Sequence, residues 1–364
     1  MRIAIIAPPW VPVPPSAYGG IETMLDTLAR GLDSAGHRVT LFTTGDSTCP
    51  VEKKWVFDTA PGIAGAGPSV ELRHVIDAYE QAGEFDVVHD HTLSGPVYAD
   101  RFPWLPVVTT NHGPFLSDLG PLYRAVSDRV PVIAISHHQA TTAQDVNIAA
   151  VIHHGLDLGE WPVGTGDGGY ALFLGRMNPD KGVHHAARAA RAAGVPLRIA
   201  AKMSEPPEFA YFESAVRPLL GADVEFVGEV GRTAKRQLLG EAVCLLNPID
   251  WPEPFGMVMI EALASGTPVV TTSIGSAPEI VEDGVTGYLV GSRRELRDVL
   301  KEVASLDRGV CRKAAEERFS AELMVERHVS VYEQLIAGGS PTGSLRAAIM
   351  RTCKPYTNTS PTPT

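Results

Sequence analysis

Twice along the chain, short runs rich in Val, Ile and Leu alternate with longer stretches of helical periodicity, and one glycine-rich interval separates the two series. The first series has strand candidates at residues 3–7, 38–43, 87–89, 107–110, 132–135 and 151–153, with a helical stretch over 21–35. The second has candidates at 170–174, 197–201, 224–227, 243–247 and 268–271, then a helical pattern from residue 292 to about residue 337. Alternation of this kind demands parallel sheets, because each strand reaches a parallel neighbour through a crossover helix. Two open, doubly wound α/β domains facing each other across a cleft are the expected outcome, with ligands beyond the C-terminal ends of the strands.

A length of 364 residues suits two domains better than one core. The expected division is a first domain over 1–155, a linker over 156–169 and a second domain over 170–320. Residues 339–364, rich in Gly, Ser, Thr and Pro, are expected to be disordered apart from a short helix at 345–351. With 31 basic residues against 42 acidic ones, the net charge of −11 leaves no global basic field to hold nucleic acid. Any phosphate must therefore be held by local groups. No run of eighteen apolar residues offers a membrane span, so no stable membrane insertion is expected, and the first apolar run is too short for a signal peptide. A cytoplasmic protein is the expectation. Cys49, Cys244, Cys311 and Cys353 form no C-x-x-C pair, which argues against a zinc site or a disulfide framework.

Five stretches carry residues suited to chemistry. In Trp251-Pro252-Glu253-Pro254-Phe255-Gly256-Met257-Val258-Met259-Ile260-Glu261, prolines and a glycine mark a loop that opens into a helix ending at Gly266. A helix start offers free N–H groups and a partial positive charge, which suit a phosphate. Glu253 and Glu261 bracket that site, as a ligand with hydroxyls at both ends and phosphates between them would require; a nucleotide sugar is such a ligand. Otherwise Glu253 complements the helix dipole and Glu261 is a solvated helix residue. After the first strand, a proline-rich loop ends in Gly19-Gly20, where a missing Cβ either lets backbone N–H groups approach an anion or simply serves the turn. Trp10 and Tyr18 in that loop either stack on a sugar ring or pack the loop.

His89-Asp90-His91 and Asn111-His112-Gly113 each follow a strand candidate. No third ligand stands at a diagnostic spacing, so a contact with a hydroxylated ligand is favoured over a metal site, with a structural histidine as the alternative for His112. Gly175-Arg176-Met177-Asn178-Pro179-Asp180-Lys181-Gly182 places a guanidinium and an ammonium five residues apart past a strand. They form either a diphosphate clamp or a surface turn.

Taken together, these stretches resemble the retaining glycosyltransferase family 4, the glycosyl transferases group 1. The likeness is supported by Val151-Ile152-His153-His154-Gly155-Leu156-Asp157, similar to the family's I-x-N-G-V-D, by Gly266-Thr267-Pro268-Val269-Val270 and by Ala277-Pro278-Glu279-Ile280-Val281. Gly284-Val285-Thr286-Gly287-Tyr288-Leu289-Val290 adds to it, and the likeness covers residues 1–338. It implies the GT-B fold of two Rossmann-like domains, with a C-terminal helix at about 321–338 crossing back to the first. It also implies that a sugar moves from a nucleotide-sugar donor to an acceptor hydroxyl with retention of configuration.

By the same likeness, Arg176 and Lys181 bind the donor diphosphate, Gly19, Gly20 and Gly175 lie beside it, and Glu253 and Glu261 hold sugar and ribose hydroxyls. Backbone N–H groups at Phe255, Gly256, Met257 and Val258 meet the phosphate or sugar; Val227, Gly228 and Glu229 border the base; His112 touches the sugar. The acceptor side is assigned to loops 8–18, 94–104 and 113–122, with Trp10, Tyr18, His89 and His91 as candidates and an unidentified, small-molecule acceptor. No cofactor and no metal are expected. His154 departs from the family, which usually has Asn there, and puts the local hinge geometry in doubt. A nucleotide-sugar epimerase and a non-catalytic nucleotide-sugar-binding protein are the alternatives.

Overall fold

The first series folds into a seven-stranded parallel sheet of β1 (Arg2–Ile6), β2 (Arg38–Thr43), β3 (Glu52–Trp55), β4 (Val87–Asp90), β5 (Val107–Thr110), β6 (Val132–Ala134) and β7 (Ile148–Val151), in the order β3-β2-β1-β4-β5-β6-β7. The second forms six parallel strands, β8 (Ala171–Arg176), β9 (Leu197–Lys202), β10 (Val224–Gly228), β11 (Cys244–Asn247), β12 (Val269–Thr272) and β13 (Gly287–Val290), in the order β10-β9-β8-β11-β12-β13. This computed structural model describes residues 1–338 apart from 17, 63, 64, 66 and 117, so the expected tail at 339–364 lies outside the described residues. Helices cover both sheets, and the two domains face each other across a cleft in the GT-B arrangement.

Strand order reverses between β1 and β4 and again between β8 and β11, and loops diverge at such points to leave a crevice. The loops after β1, β4, β8 and β11 carry Gly19-Gly20, His91, Lys181 and Glu253. The sheet topology thus gathers motifs that lie far apart in the chain.

Burial explains why these segments pair. In β1, Ile3, Ile5 and Ile6 are fully buried, as a strand covered on both faces requires. The helix Gly20–Ser34 buries Met24, Leu25, Leu28 and Leu32 on one stripe against Ile3 and Ile5. Helix Ala321–Ile336 adds Met324, Val325, Val331 and Tyr332 to that first-domain core. The preceding helix, Arg308–Arg318, places Cys311 and Ala315 in the second-domain core. The chain therefore crosses between domains twice. The crossings run side by side: Leu156 N donates to Phe319 O and Ala321 N to Leu156 O, both at 2.9 Å.

Three details depart from the sequence pattern. Strand β7 lies at Ile148–Val151 and not at 151–153: its pairing with β6 ends at Val151, Ile152 still donates to Ala134 O and packs in the first core, and His153 and His154 turn towards Phe255 of the second domain. Strand β3, Glu-Lys-Lys-Trp, is an edge strand with charged residues and no apolar signature. Residues 156–169 form a pinned connection. Trp161 is buried in the second core, Arg312 donates to the carbonyls of Leu158 and Trp161, and Arg308 donates to that of Gly164.

Candidate active site

The cleft encloses about 480 Å³ between the two domains. Its second-domain wall begins in the loop after β11. Gly256 adopts φ +94, a left-handed turn that side chains disfavour, and it directs the chain into helix Met257–Ala264. Phe255, Gly256, Met257 and Val258 all line the cleft. The loop backbone is held from behind, where Ser276 Oγ donates to Phe255 O and Ser276 N to Glu253 O.

Glu253 lines the cleft with one oxygen, Oε1, paired to Lys181 Nζ. Its other oxygen, Oε2, is buried and has no partner among the described residues, and Trp251 Nε1 in the same loop is in the same condition. Buried polar atoms of native proteins find partners in more than about nine cases in ten, so two orphans in one loop point to a ligand with hydroxyl groups. Glu261, also on this wall, is 3% exposed and accepts from Lys235 Nζ at 2.5 Å.

Arg176 is the last residue of β8 and Lys181 follows on a single turn, Pro179–Lys181. Asn178 caps that turn by accepting from Asp180 N at 2.9 Å, and Gly182, at φ +71, ends it. Both cations line the cleft with Gly175. Lys202 pairs in register with Arg176 across β8 and β9, lines the same edge and donates to Glu205 at 2.7 Å.

The first-domain wall carries Trp10, Tyr18, Gly19, Gly20 and His112. At Gly19 a Cβ would stand 2.8 Å from both Glu22 Oε2 and Pro15, so a close approach demands glycine there. Tyr18 N donates to Glu229 Oε1 at 3.1 Å, joining the loop after β1 to the loop after β10 across the cleft. His112 is held neutral, since burial pushes its imidazolium pKa down to about 3. Its Nε2 lies 2.9 Å from His91 Nδ1, while its Nδ1 is buried without a partner.

Four expected contacts are corrected. His89 and His91 are not on the acceptor side: neither lines the cleft, being 0% and 5% exposed beneath it, and both nitrogens of His89 are bonded, to Tyr332 and Thr110. Val227 turns inward against the second core, and Gly228, in the left-handed region, also stays out of the lining. Of that segment, Glu229 and Val230 reach the cleft.

Other lining residues were not assigned to the site from the sequence. His154 lies between His112, centroids 5.4 Å apart, and Phe255, at 5.0 Å, and so bridges the domains through the cleft. Arg30, Arg232 and Arg236 surround Glu160 of the linker. Among the described residues, the ligand atoms of His137, His153 and Glu279 lie within 4.8 Å of one another. Glu279 already accepts from His137 N at 2.8 Å, His138 N at 2.6 Å and His153 at 2.9 Å, so it joins the domains outside the cleft.

Two family profiles match the chain: one described as Glycosyltransferase Family 4 over residues 18–160, the other as Glycosyl transferases group 1 over residues 164–318. Alpha-maltose-1-phosphate synthase of Mycolicibacterium smegmatis is 29% identical over 335 residues, which are 80% of this chain and 84% of that protein. Among solved structures, AviGT4, a glycosyltransferase involved in avilamycin A biosynthesis, superposes with a TM-score of 0.71 at 27% identity and covers 93% of this chain and 98% of its own. HepE of Anabaena, solved with UDP and glucose, has the same fold, with a TM-score of 0.72 at 22% identity over 92% of this chain and 99% of its own.

Proposed function

Because the chain belongs to glycosyltransferase family 4, the glycosyl transferases group 1, we propose that this glycosyltransferase takes its sugar from a nucleoside-diphosphate donor and transfers it to an acceptor hydroxyl with retention of configuration. The observation that carries this is the convergence on one cleft of two cations, a helix start and three buried polar atoms, Glu253 Oε2, Trp251 Nε1 and His112 Nδ1, that find no partner among the described residues. Phosphates suit the first two, and sugar hydroxyls suit the third.

Arg176 and Lys181 bind the diphosphate and offset the charge that develops as it leaves, with the N–H groups at the start of helix Met257–Ala264 on the same charge. Glu253 holds sugar hydroxyls, each charge-assisted hydrogen bond contributing about 1.5–3 kcal/mol, and Glu261 holds the ribose. The C1–O bond to phosphate breaks with its electron pair going to the diphosphate. The acceptor oxygen bonds C1 on the same face, and its proton passes to the departing diphosphate oxygen. Trp10 and Tyr18 border the acceptor, proposed to be a small molecule. The wall residues come from both domains, so closure would complete the site and exclude water.

No metal takes part in this proposal, and turnover is expected to persist in chelator; loss of activity restored by a divalent ion would contradict it. A thermal-shift screen of nucleoside diphosphates and their sugars tests the donor class, with UDP among the first. A true donor at 100 times its Kd adds about 2.7 kcal/mol of stability, whereas no shift from any member would overturn the proposal. Release of free nucleoside diphosphate that depends on an acceptor separates transfer from epimerisation.

A further inference from the structure

Behind His112 stands a row of histidines to which the transfer chemistry assigns no role. His91 is hydrogen-bonded to His112, with ring planes 25° apart and centroids at 5.2 Å. His89 packs on His91 with centroids 4.0 Å apart and is fixed at both nitrogens, at 2.7 Å each, by the hydroxyls of Tyr332 and Thr110. Tyr332 belongs to the C-terminal helix, so the row runs from the helix that crosses back to the cleft wall. His154 closes the other side of His112 at 5.4 Å. His112 is thus held between neighbours that are themselves fixed.

Burial lowers the pKa values of both His91 and His112, so both rings are neutral near pH 7. Between two neutral imidazoles, one of the facing nitrogens carries the proton and the other accepts it. The choice is linked to the far ends of the pair, because each neutral ring holds one proton. If His112 Nε2 donated, His91 would carry its own proton on Nε2, a buried atom with no partner. Either arrangement leaves one N–H without a partner among the described residues, and on His91, beneath the cleft, it would stay unpaired when a ligand binds. The arrangement a ligand can complete has His91 Nδ1–H donating to His112 Nε2, which leaves the remaining proton of His112 on Nδ1. That atom, also without a protein partner, is then an N–H donor on a residue that lines the cleft.

We propose that His91 is a positioning residue that fixes the ring orientation of His112 and its Nδ1–H tautomer, so that His112 meets a sugar hydroxyl oxygen as a donor. This rests on the donor-site assignment of His112 made above. His91 touches no substrate in this account; it acts through its neighbour.

Two substitutions in the full-length protein separate the hydrogen bond from packing. In His91→Asn the amide can stand where imidazole Nδ1 stood, whereas His91→Phe fills the volume and offers no hydrogen bond. With the donor selected by the thermal-shift screen, His91→Phe should lower kcat/KM about 10–100-fold, the scale expected when a site group is displaced from its productive position, and His91→Asn should recover most of it. In protein labelled with 15N-histidine, the His112 shifts should report Nδ1–H in the wild type and in His91→Asn, and a different or mixed tautomer in His91→Phe. Wild-type turnover in His91→Phe, an Asn variant as impaired as the Phe variant, or Nε2–H on wild-type His112 would each overturn the proposal. If His91→Phe fails to fold, His91→Gln replaces it, with its amide one bond too far out, and the same loss is expected. Normal turnover in His112→Ala would instead remove the donor-site assignment, and the 15N shifts would still decide whether His91 sets the tautomer.

Discussion

At Glu253 the carboxylate divides its two oxygens, one paired with Lys181 and one left buried and unpartnered. The division gives stability and activity different mutational signatures. Lys181→Ala should lower turnover by orders of magnitude and also destabilise the fold by about 1–3 kcal/mol, because the Glu253 carboxylate is left buried without its partner. Adding Glu253→Gln to Lys181→Ala should recover much of that stability and none of the activity, as calorimetry and donor turnover would show; recovery of turnover would contradict the assignment of both residues. Arg176→Ala should be as inactive with little loss of stability, and near-normal kinetics would remove Arg176 from the diphosphate. At this scale the sequence exposes residues that sit in glycine- and proline-marked loops, which is why Gly19, Arg176, Lys181 and Glu253 stood out. Lys235 and Arg236 were invisible because their meaning lies in partners far along the chain: Glu261 is 26 residues from Lys235, and Glu160 is 76 residues from Arg236. His89 and His91 misled for the same reason. A His-x-His after a strand looks alike whether it faces the cleft or lies beneath it.

Among the elements, helix Met257–Ala264 shows best how local sequence positions chemistry. Gly256, at φ +94, sets its start, and the left-handed turn is what aims the loop bearing Glu253 into the cleft. Gly256→Ala would carry a backbone penalty of roughly 1–2 kcal/mol and would also meet Met259. We expect a modest drop in thermal stability with a disproportionate loss of donor affinity, read by denaturation and by titration with nucleoside diphosphate; unchanged affinity would show that the turn does not shape the site. Buried strands such as β1 and β8 were legible because a two-sided core selects continuous apolar runs. The edge strand β3 was not, since its pairing comes from β2 and not from its own charged side chains. The start of β7 was misjudged because Ala149 and Ala150 carry little strand preference, while Ile152, just past the strand's end, packs in the first core and gives the stronger apolar signal.

The whole molecule is two cores joined by two hydrogen-bonded crossings, with several buried histidines held neutral by their burial. Burial lowers His74 and His328 to about 4 and His112 to about 3. Unfolded histidines titrate near 6.5, so as pH falls the unfolded chain takes up protons that the folded chain refuses. Stability from these groups is complete above about pH 6.5 and is lost progressively towards pH 4 and below, each histidine contributing up to about 1.4 kcal/mol per pH unit. Asp90 opposes them: burial raises its pKa to about 7, so its share is gained on acidification, but one carboxyl offsets only one of the three. Denaturant midpoints should therefore fall steeply between pH 6.5 and 5, and a flat profile would mean that these rings are hydrated. The proposed reaction is retaining transfer from a nucleoside-diphosphate sugar, and water can serve as its acceptor. Slow hydrolysis of an α-linked donor, followed by 1H NMR at the anomeric proton, should release the α-sugar first, before mutarotation, and Arg176→Ala should abolish that signal. First appearance of the β-anomer, or equal release by Arg176→Ala, would contradict the account.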